Sequence, residues 1–148
     1  MTTVKTFPLL ARPQFDLKIE LSFLPAAHER RWRRHQRNHE ALKAALQVMG
    51  LGIASQAGHK LWQLNAITVP EGVDEAAVRK RLLTDHSIEV GAGLGPLKGK
   101  IWRVGLMGET SSLDNVKKFL GAFGGILNDA GFKVDARAAL AAAEAHKL

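Results

Sequence analysis

The chain has 148 residues, of which 46% are hydrophobic and 24% charged, and its formal net charge is +7 at pH 7. This composition predicts a globular domain with its own core and does not indicate a disordered chain. The sequence has no apolar run of membrane-spanning length and no signal-peptide core, and without cysteine it excludes disulfides and thiolate metal sites. We expect a cytoplasmic location, with the C-terminal His146-Lys147-Leu148 as a weak peroxisomal alternative.

The first 26 residues are predicted as an atypical N-terminal segment. Residues 15–23 alternate apolar and polar side chains without a break, which is the pattern of a strand. A helix over residues 27–49 follows, and Gly50 is expected to cap its C-terminal end. One face of that helix carries apolar residues at helical spacing: Leu42, Ala45, Leu46 and Met49.

Apolar runs and turn residues then predict three short strands and two more helices. The strands cover residues 61–69, 88–90 and 101–106. Asp74 is expected to cap a helix that ends near Leu83, and Ser111 or Ser112 to cap the next. This last helix repeats apolar residues at helical spacing: Val116, Phe119, Leu120, Phe123 and Leu127.

The order of these elements, α-β-α-β-β-α, predicts the fold class. It indicates an α+β domain over residues 27–130, with a small sheet of three to four strands and helices on one face. The alanine-rich stretch 131–148 has high helix propensity but little to bury. It is therefore predicted as a loosely docked helical tail.

A glycine-rich loop leads directly into a strand that carries an arginine. In the strand over residues 101–106, Trp102 and Val104 share one face and Arg103 points to the other. A guanidinium group is always charged, and its planar fork suits a carboxylate or a phosphate. Because an unpaired buried charge is costly, Arg103 is predicted to bind an anionic ligand or to pair with Glu89 on the neighbouring strand.

Three other patterns in the sequence have structural interpretations. Residues 95–100 approach a phosphate-binding loop, but the spacing is one residue short and Ile101 replaces the required Ser or Thr. His35 and His39 are one helical turn apart without the glutamate of a zinc hydrolase, so solvent-facing histidines are expected and no metal site is predicted. The arginine-rich stretch 30–37 predicts a solvated helix face, and leaves open a basic surface for nucleic acid or another anionic partner.

The sequence resembles the class V, fold-type-I aminotransferases that use pyridoxal phosphate, and within them the alanine–glyoxylate and serine–pyruvate (serine–glyoxylate) enzymes. The resemblance extends from about Ala27 to Leu127 and matches the family's C-terminal small domain. It depends on four stretches in the family's order and spacing, at residues 31–42, 64–74, 88–96 and 102–108. The segment before residue 26 departs from the family's helical, leucine-rich sequence.

The resemblance implies roles for particular residues. Arg103 matches the arginine that pairs with the α-carboxylate of the substrate, an amino acid or a 2-oxo acid. Gly93, Leu94, Gly95 and Pro96 match the loop beside it. The family's Schiff-base lysine, its aspartate for the pyridine nitrogen and its phosphate cradle belong to the large domain, and their motifs are absent from this sequence.

The expected function is therefore that of a truncated transaminase, which contributes the substrate-carboxylate side. The resemblance implies that pyridoxal phosphate serves the full-length family and is not held stably by this chain alone. Activity would require a large-domain or homodimer partner. A membrane or nucleic-acid partner is not expected, although the basic binding module stays the alternative.

Overall fold

The computed structural model of the chain describes residues 17–146 apart from residue 57, with side chains from residue 27 onward. The chain divides into two compact units, Met1–Trp32 and Arg33–Leu148. The elements are α1 (Leu17–Val48), β1 (Leu64–Thr68), α2 (Glu75–His86), β2 (Gly91–Ala92), β3 (Ile101–Gly105), α3 (Leu113–Asp129) and α4 (Ala136–Glu144). Within the described residues, no helix is both long and apolar enough to cross a membrane.

The second unit contains a three-stranded antiparallel sheet in which β3 lies between β1 and β2. Trp102 of β3 is fully buried on the face that the helices cover. Its indole N–H donates to the carbonyl oxygen of Glu75 at 3.1 Å, and its ring meets Phe123 of α3 edge-on at 5.1 Å between centroids. The predicted α+β fold is confirmed.

The helix α1 begins earlier than the sequence pattern suggested. Residues 17–23 are helical, so the predicted strand is wrong there, and residues 15 and 16 lie outside the described residues. Leu17, Leu21 and Leu24 also fit a helical repeat, and extending an existing helix costs less than nucleating a new element. The C-terminal end agrees with the prediction: Gly50 has a φ of +74°, and the N–H of Leu51 donates to the carbonyl of Leu46 at 2.8 Å.

The strand predicted over residues 88–90 is also wrong, because those residues form the connection between the end of α2 and the strand β2. Ser87 adopts a left-handed conformation with a φ of 55°. The N–H of Ile88 then donates to the carbonyl of Leu82 at 2.9 Å. This hydrogen bond turns the chain back over the helix end, so pairing with β3 begins only at Gly91.

The alanine-rich segment forms α4, which is firmly docked rather than loosely attached. Ala139 and Ala143 are completely buried. Helix α3 permits this approach at Gly124, where a Cβ atom would lie 2.9 Å from the Cβ of Ala136. Small side chains on α4 therefore allow the two helices to pack closely. The prediction of a loosely docked tail considered only the lack of large apolar residues in this segment. The predicted apolar face of α3 is buried at each of its five positions: Val116, Phe119, Leu120, Phe123 and Leu127.

A surface ion-pair network joins α2 to α3. Arg81 donates from Nη2 to Asp129 at 2.9 Å and from Nε to Asp85 at 3.2 Å. The hydroxyl of Thr84, and after it the guanidinium of Arg81, hold the pKa of Asp85 below its ordinary value. Because all these side chains are exposed, solvent screens the pairs and their contribution to stability is small.

The Asp74 cap predicted from sequence is present, and removing it is expected to weaken α2. The carboxylate of Asp74 accepts hydrogen bonds from the backbone N–H of Ala76 at 2.9 Å and of Ala77 at 3.1 Å. We expect Asp74→Ala to lower the free energy of unfolding by about 1 kcal/mol, measured by urea denaturation. Asp74→Asn, which caps about as well, is the matched control, and equal losses in both variants would contradict a capping role.

Candidate functional site

Arg103 lies on the sheet face opposite the one that Trp102 occupies. It is half-buried, and in the β-sheet register it stands between Ala66 of β1 and Gly91 of β2. Its Nε donates to the carbonyl oxygen of Ala92 at 2.6 Å. This bond orients the guanidinium group without neutralising its charge, and it leaves the terminal nitrogens as donors for a ligand.

Glu89, which the sequence suggested as an internal carboxylate partner of Arg103, does not pair with it. Among the described residues, Arg103 forms no ion pair, and Glu89 instead lines a separate cavity of about 620 Å³ that does not include Arg103. Of the two outcomes expected for this arginine, an internal ion pair with Glu89 is therefore wrong. The guanidinium group therefore keeps an unpaired positive charge, among the described residues, on the sheet face opposite Trp102.

Two glycines shape the backbone around this arginine. A Cβ atom at Gly91 would lie 3.2 Å from Nη2 of Arg103, so the guanidinium group rests directly against β2. A Cβ atom at Gly93 would lie only 2.0 Å from the carbonyl oxygen of Leu97, a distance that no side chain can tolerate. The loop after β2 is consequently folded tightly on itself next to the strand that carries Arg103.

The structure does not connect all of the predicted site residues by hydrogen bonds. The hydrogen bond of Arg103 goes to Ala92, and no described hydrogen bond links Arg103 to the loop formed by Gly93, Leu94, Gly95 and Pro96. Leu94 is 66% exposed, and the loop continues into a short 3₁₀ turn at Gly95–Leu97. A role for these four residues in ligand binding therefore stays a prediction.

Arg103 also lines a small cavity of about 150 Å³ that sequence reasoning did not anticipate. The cavity lies between β1, β3 and the segment that precedes β1, and His39 of α1 is part of its wall. His39 is 1% exposed and His35 is 8% exposed, so the prediction of solvent-facing histidines is wrong. The signal was present in the sequence, since His39 precedes Leu42 and Leu46 by three and seven residues and so shares their buried face.

Comparison with characterised proteins identifies relatives of one kind. No protein-family model matches the chain. The (S)-ureidoglycine–glyoxylate transaminase of Bacillus subtilis is 35% identical over 115 residues, which are 78% of this chain and 28% of that protein. The pyridoxamine–pyruvate transaminase of Mesorhizobium japonicum is 32% identical over 120 residues, which are 80% of this chain and 30% of that protein.

Solved structures agree with the sequence matches. The ureidoglycine–glyoxylate aminotransferase of Bacillus subtilis superposes with a TM-score of 0.77 at 34% identity, over 80% of this chain and 30% of that one. The pyridoxamine–pyruvate aminotransferase of Mesorhizobium loti gives a TM-score of 0.78 at 31% identity, over 84% of this chain and 32% of that one. The chain thus spans less than a third of the length of these relatives, and by sequence and fold it belongs to the class V aminotransferase family.

Proposed function

We propose that the chain provides the substrate-carboxylate subsite of an aminotransferase. In this role Arg103 pairs with the α-carboxylate of an amino acid or a 2-oxo acid. The observation that carries the proposal is the half-buried guanidinium group on the sheet face opposite Trp102, which has a backbone hydrogen bond to Ala92 and no carboxylate partner among the described residues. The aminotransferase relatives supply the reaction in which such a group would serve.

The physical basis of the proposed carboxylate binding is the planar, forked guanidinium group of Arg103, which is held on a rigid strand. A bidentate pair with a carboxylate fixes both the position and the plane of the ligand, which a lysine ammonium group cannot do. The bond from Nε to Ala92 limits rotation of the guanidinium group, so less rotamer freedom remains to be lost on binding. Such a charge-assisted interaction contributes about 1.5–3 kcal/mol to binding.

The described residues around Arg103 do not fit a resident pyridoxal phosphate. That cofactor provides the electron sink of transamination and is held through a lysine and a charged partner for its pyridine nitrogen. The cavity beside Arg103 measures about 150 Å³, below the roughly 300 Å³ at which cofactor-sized sites begin, and no acidic residue is among those that line it. The proposed role therefore ends at binding and orienting the carboxylate, and a large-domain partner or a second subunit would supply the remaining groups.

A titration with pyruvate tests the proposal directly. In a ¹⁵N-labelled sample, the side-chain Nε–Hε resonance of Arg103 and the backbone amides of Ala92 and Gly93 should shift in a saturable manner with pyruvate. Pyruvamide, which has the same shape and no charge, is the matched control and should shift them far less. If the Arg103 resonance does not respond to pyruvate, or responds equally to both compounds, the carboxylate role is wrong.

The alternative function, a basic module for an anionic polymer, has one observation in its favour. Arg33 and Arg37 are exposed on α1, on a chain whose net charge is +7. Arg34 is instead engaged internally, since its Nη2 donates to the carbonyl of Gly108 at 3.0 Å. Binding through this surface would weaken steeply with added salt and would not depend on Arg103.

A further inference from the structure

The cavity of about 620 Å³ lies on the helix side of the sheet, away from the proposed carboxylate subsite. Val104 lines it, and this side chain shares the sheet face of Trp102 because side chains alternate along a strand. Residues 88–90 form a second wall, since β2 begins to pair with β3 only after them. Helix α3 provides the third wall. The cavity is therefore a gap between the sheet, the end of α2 and α3.

The deeper part of this cavity is apolar. Four of the residues that line it are each 5% exposed or less: Val104, Leu106, Val116 and Phe119. Phe119 stacks on Phe123 at 4.9 Å between ring centroids, so its ring has a fixed orientation. The volume falls within the range of about 300–1,000 Å³ that is typical of sites for small organic ligands. Because natural cores pack closely, an apolar concavity of this size indicates a binding site.

Charged side chains border the cavity where it meets solvent. The described lining residues include three ionisable side chains, and all three are exposed: His86, Glu89 and Lys118. Glu89 belongs to the connection between α2 and β2, and Lys118 to α3. Among the described residues, neither forms an ion pair with the other or with any third side chain. An apolar ligand with a single charge would leave one of the two unpaired, whereas a zwitterion pairs with both.

We propose that this cavity binds an α-amino acid with a large apolar side chain. The carboxylate of the ligand pairs with Lys118, its ammonium group pairs with Glu89, and its side chain packs against Phe119. Both charged groups of an α-amino acid are attached to one carbon atom, so they can stay at the mouth while the side chain enters the apolar part. Burial of the side chain provides most of the affinity, and each exposed ion pair adds a factor of up to about 5.

L-phenylalanine is the first probe, in a titration of the methyl-labelled wild-type chain followed by NMR. The methyl resonances of Val104, Leu106 and Val116 should shift in a saturable manner. 3-Phenylpropionate lacks the ammonium group and phenethylamine lacks the carboxylate, so each should bind about 2- to 5-fold more weakly. L-alanine has both charges without the ring and should shift these resonances far less. If the two single-charge compounds bind as tightly as phenylalanine, the assignment of an amino acid is wrong.

Substitutions of the two charged residues test each contact separately. Lys118→Gln should raise the dissociation constant for phenylalanine by about 2- to 5-fold and leave that for phenethylamine unchanged, because this compound has no carboxylate. Glu89→Gln should weaken phenylalanine to the same extent and leave 3-phenylpropionate unchanged. Lys80→Gln and Glu71→Gln make the same changes at exposed positions that do not line the cavity, and neither should affect binding. Equal effects of the cavity variants and these controls would overturn the proposal.

Arg103→Gln distinguishes this site from the proposed carboxylate subsite, which an amino acid would also occupy. In this variant the methyl resonances of Val104 and Val116 should still respond to phenylalanine. If that response disappears, phenylalanine binds at Arg103 alone and the inference about the cavity is wrong, while the carboxylate role stands. If the methyl groups respond to phenylalanine and the Arg103 Nε–Hε resonance does not respond to pyruvate, the cavity site stands and the carboxylate role is wrong.

Discussion

Replacing Trp102 by alanine is expected to lower the free energy of unfolding by about 3–5 kcal/mol. Trp102 is completely buried, and it joins the central strand to two helices through the hydrogen bond to Glu75 and the edge-on contact with Phe123. Phe123 stacks in turn on Phe119 at 4.9 Å between centroids, so the cavity would open within an aromatic cluster. Because the ring of Phe123 is held by this stacking, it cannot easily move into the vacated space.

Urea denaturation followed by far-UV circular dichroism measures the effect, and the chain offers a control. Trp32 is 60% exposed, so Trp32→Ala makes the same chemical change at the surface and should alter stability by no more than about 0.5 kcal/mol. Trp102→Phe removes the indole donor while keeping a ring, and an intermediate loss is expected. A loss of less than about 1 kcal/mol for Trp102→Ala would mean that this residue does not hold the sheet against the helices.

The same substitution connects the core to the candidate site. Trp102 precedes Arg103 in β3, and the two side chains point to opposite faces of the sheet. Anchoring Trp102 on the helix side therefore fixes the strand from which Arg103 projects. The variant Trp102→Phe should remain folded and keeps a ring at this position. If the ring alone anchors β3 on the helices, the Arg103 Nε–Hε resonance of this variant should still report the hydrogen bond to Ala92.

Features determined by local chemistry were predictable from the sequence. Gly50 after α1, Asp74 before α2 and Ser112 before α3 cap their helices as expected, because caps depend on a few neighbouring backbone groups. The opposite orientations of Trp102 and Arg103 follow from the twofold period of a strand. The alternation in β3 was therefore sufficient to place the guanidinium group on the sheet face opposite Trp102.

Features determined by distant contacts were not predictable in this way. The alternating residues 17–23 join a helix, and the burial of α4 depends on Gly124 of α3, which no local pattern reveals. His39 showed its buried position through its spacing from Leu42, but its pairing with Asn65 and its place in the wall of the cavity that Arg103 also lines required the fold. The surroundings of Arg103 are therefore predictable only in part. The position of Arg103 follows from the alternation of its strand, whereas the position of His39 depends on how α1 packs on the sheet.

The largest effect on ligand binding is expected for Arg103→Gln. Losing a charge-assisted pair of about 1.5–3 kcal/mol raises the dissociation constant for pyruvate by about 10- to 150-fold. The amide of glutamine can still donate to the carbonyl of Ala92, so the fold around β2 should be preserved. The backbone amides of Ala92 and Gly93 report binding in this variant, because the arginine signal is absent.

Two further variants test whether pyruvate binding depends specifically on the guanidinium group of Arg103. Arg103→Lys keeps the charge but loses the fork, so binding should lie between that of the wild type and that of Arg103→Gln; equal binding by the lysine variant would mean that the site senses charge without geometry. Arg37→Gln removes an exposed arginine of α1 and should leave pyruvate binding unchanged while weakening any salt-sensitive association with a polyanion. If Arg37→Gln impairs pyruvate binding as strongly as Arg103→Gln does, the anion is held by the diffuse positive charge of the chain, and the strand arginine has no special role.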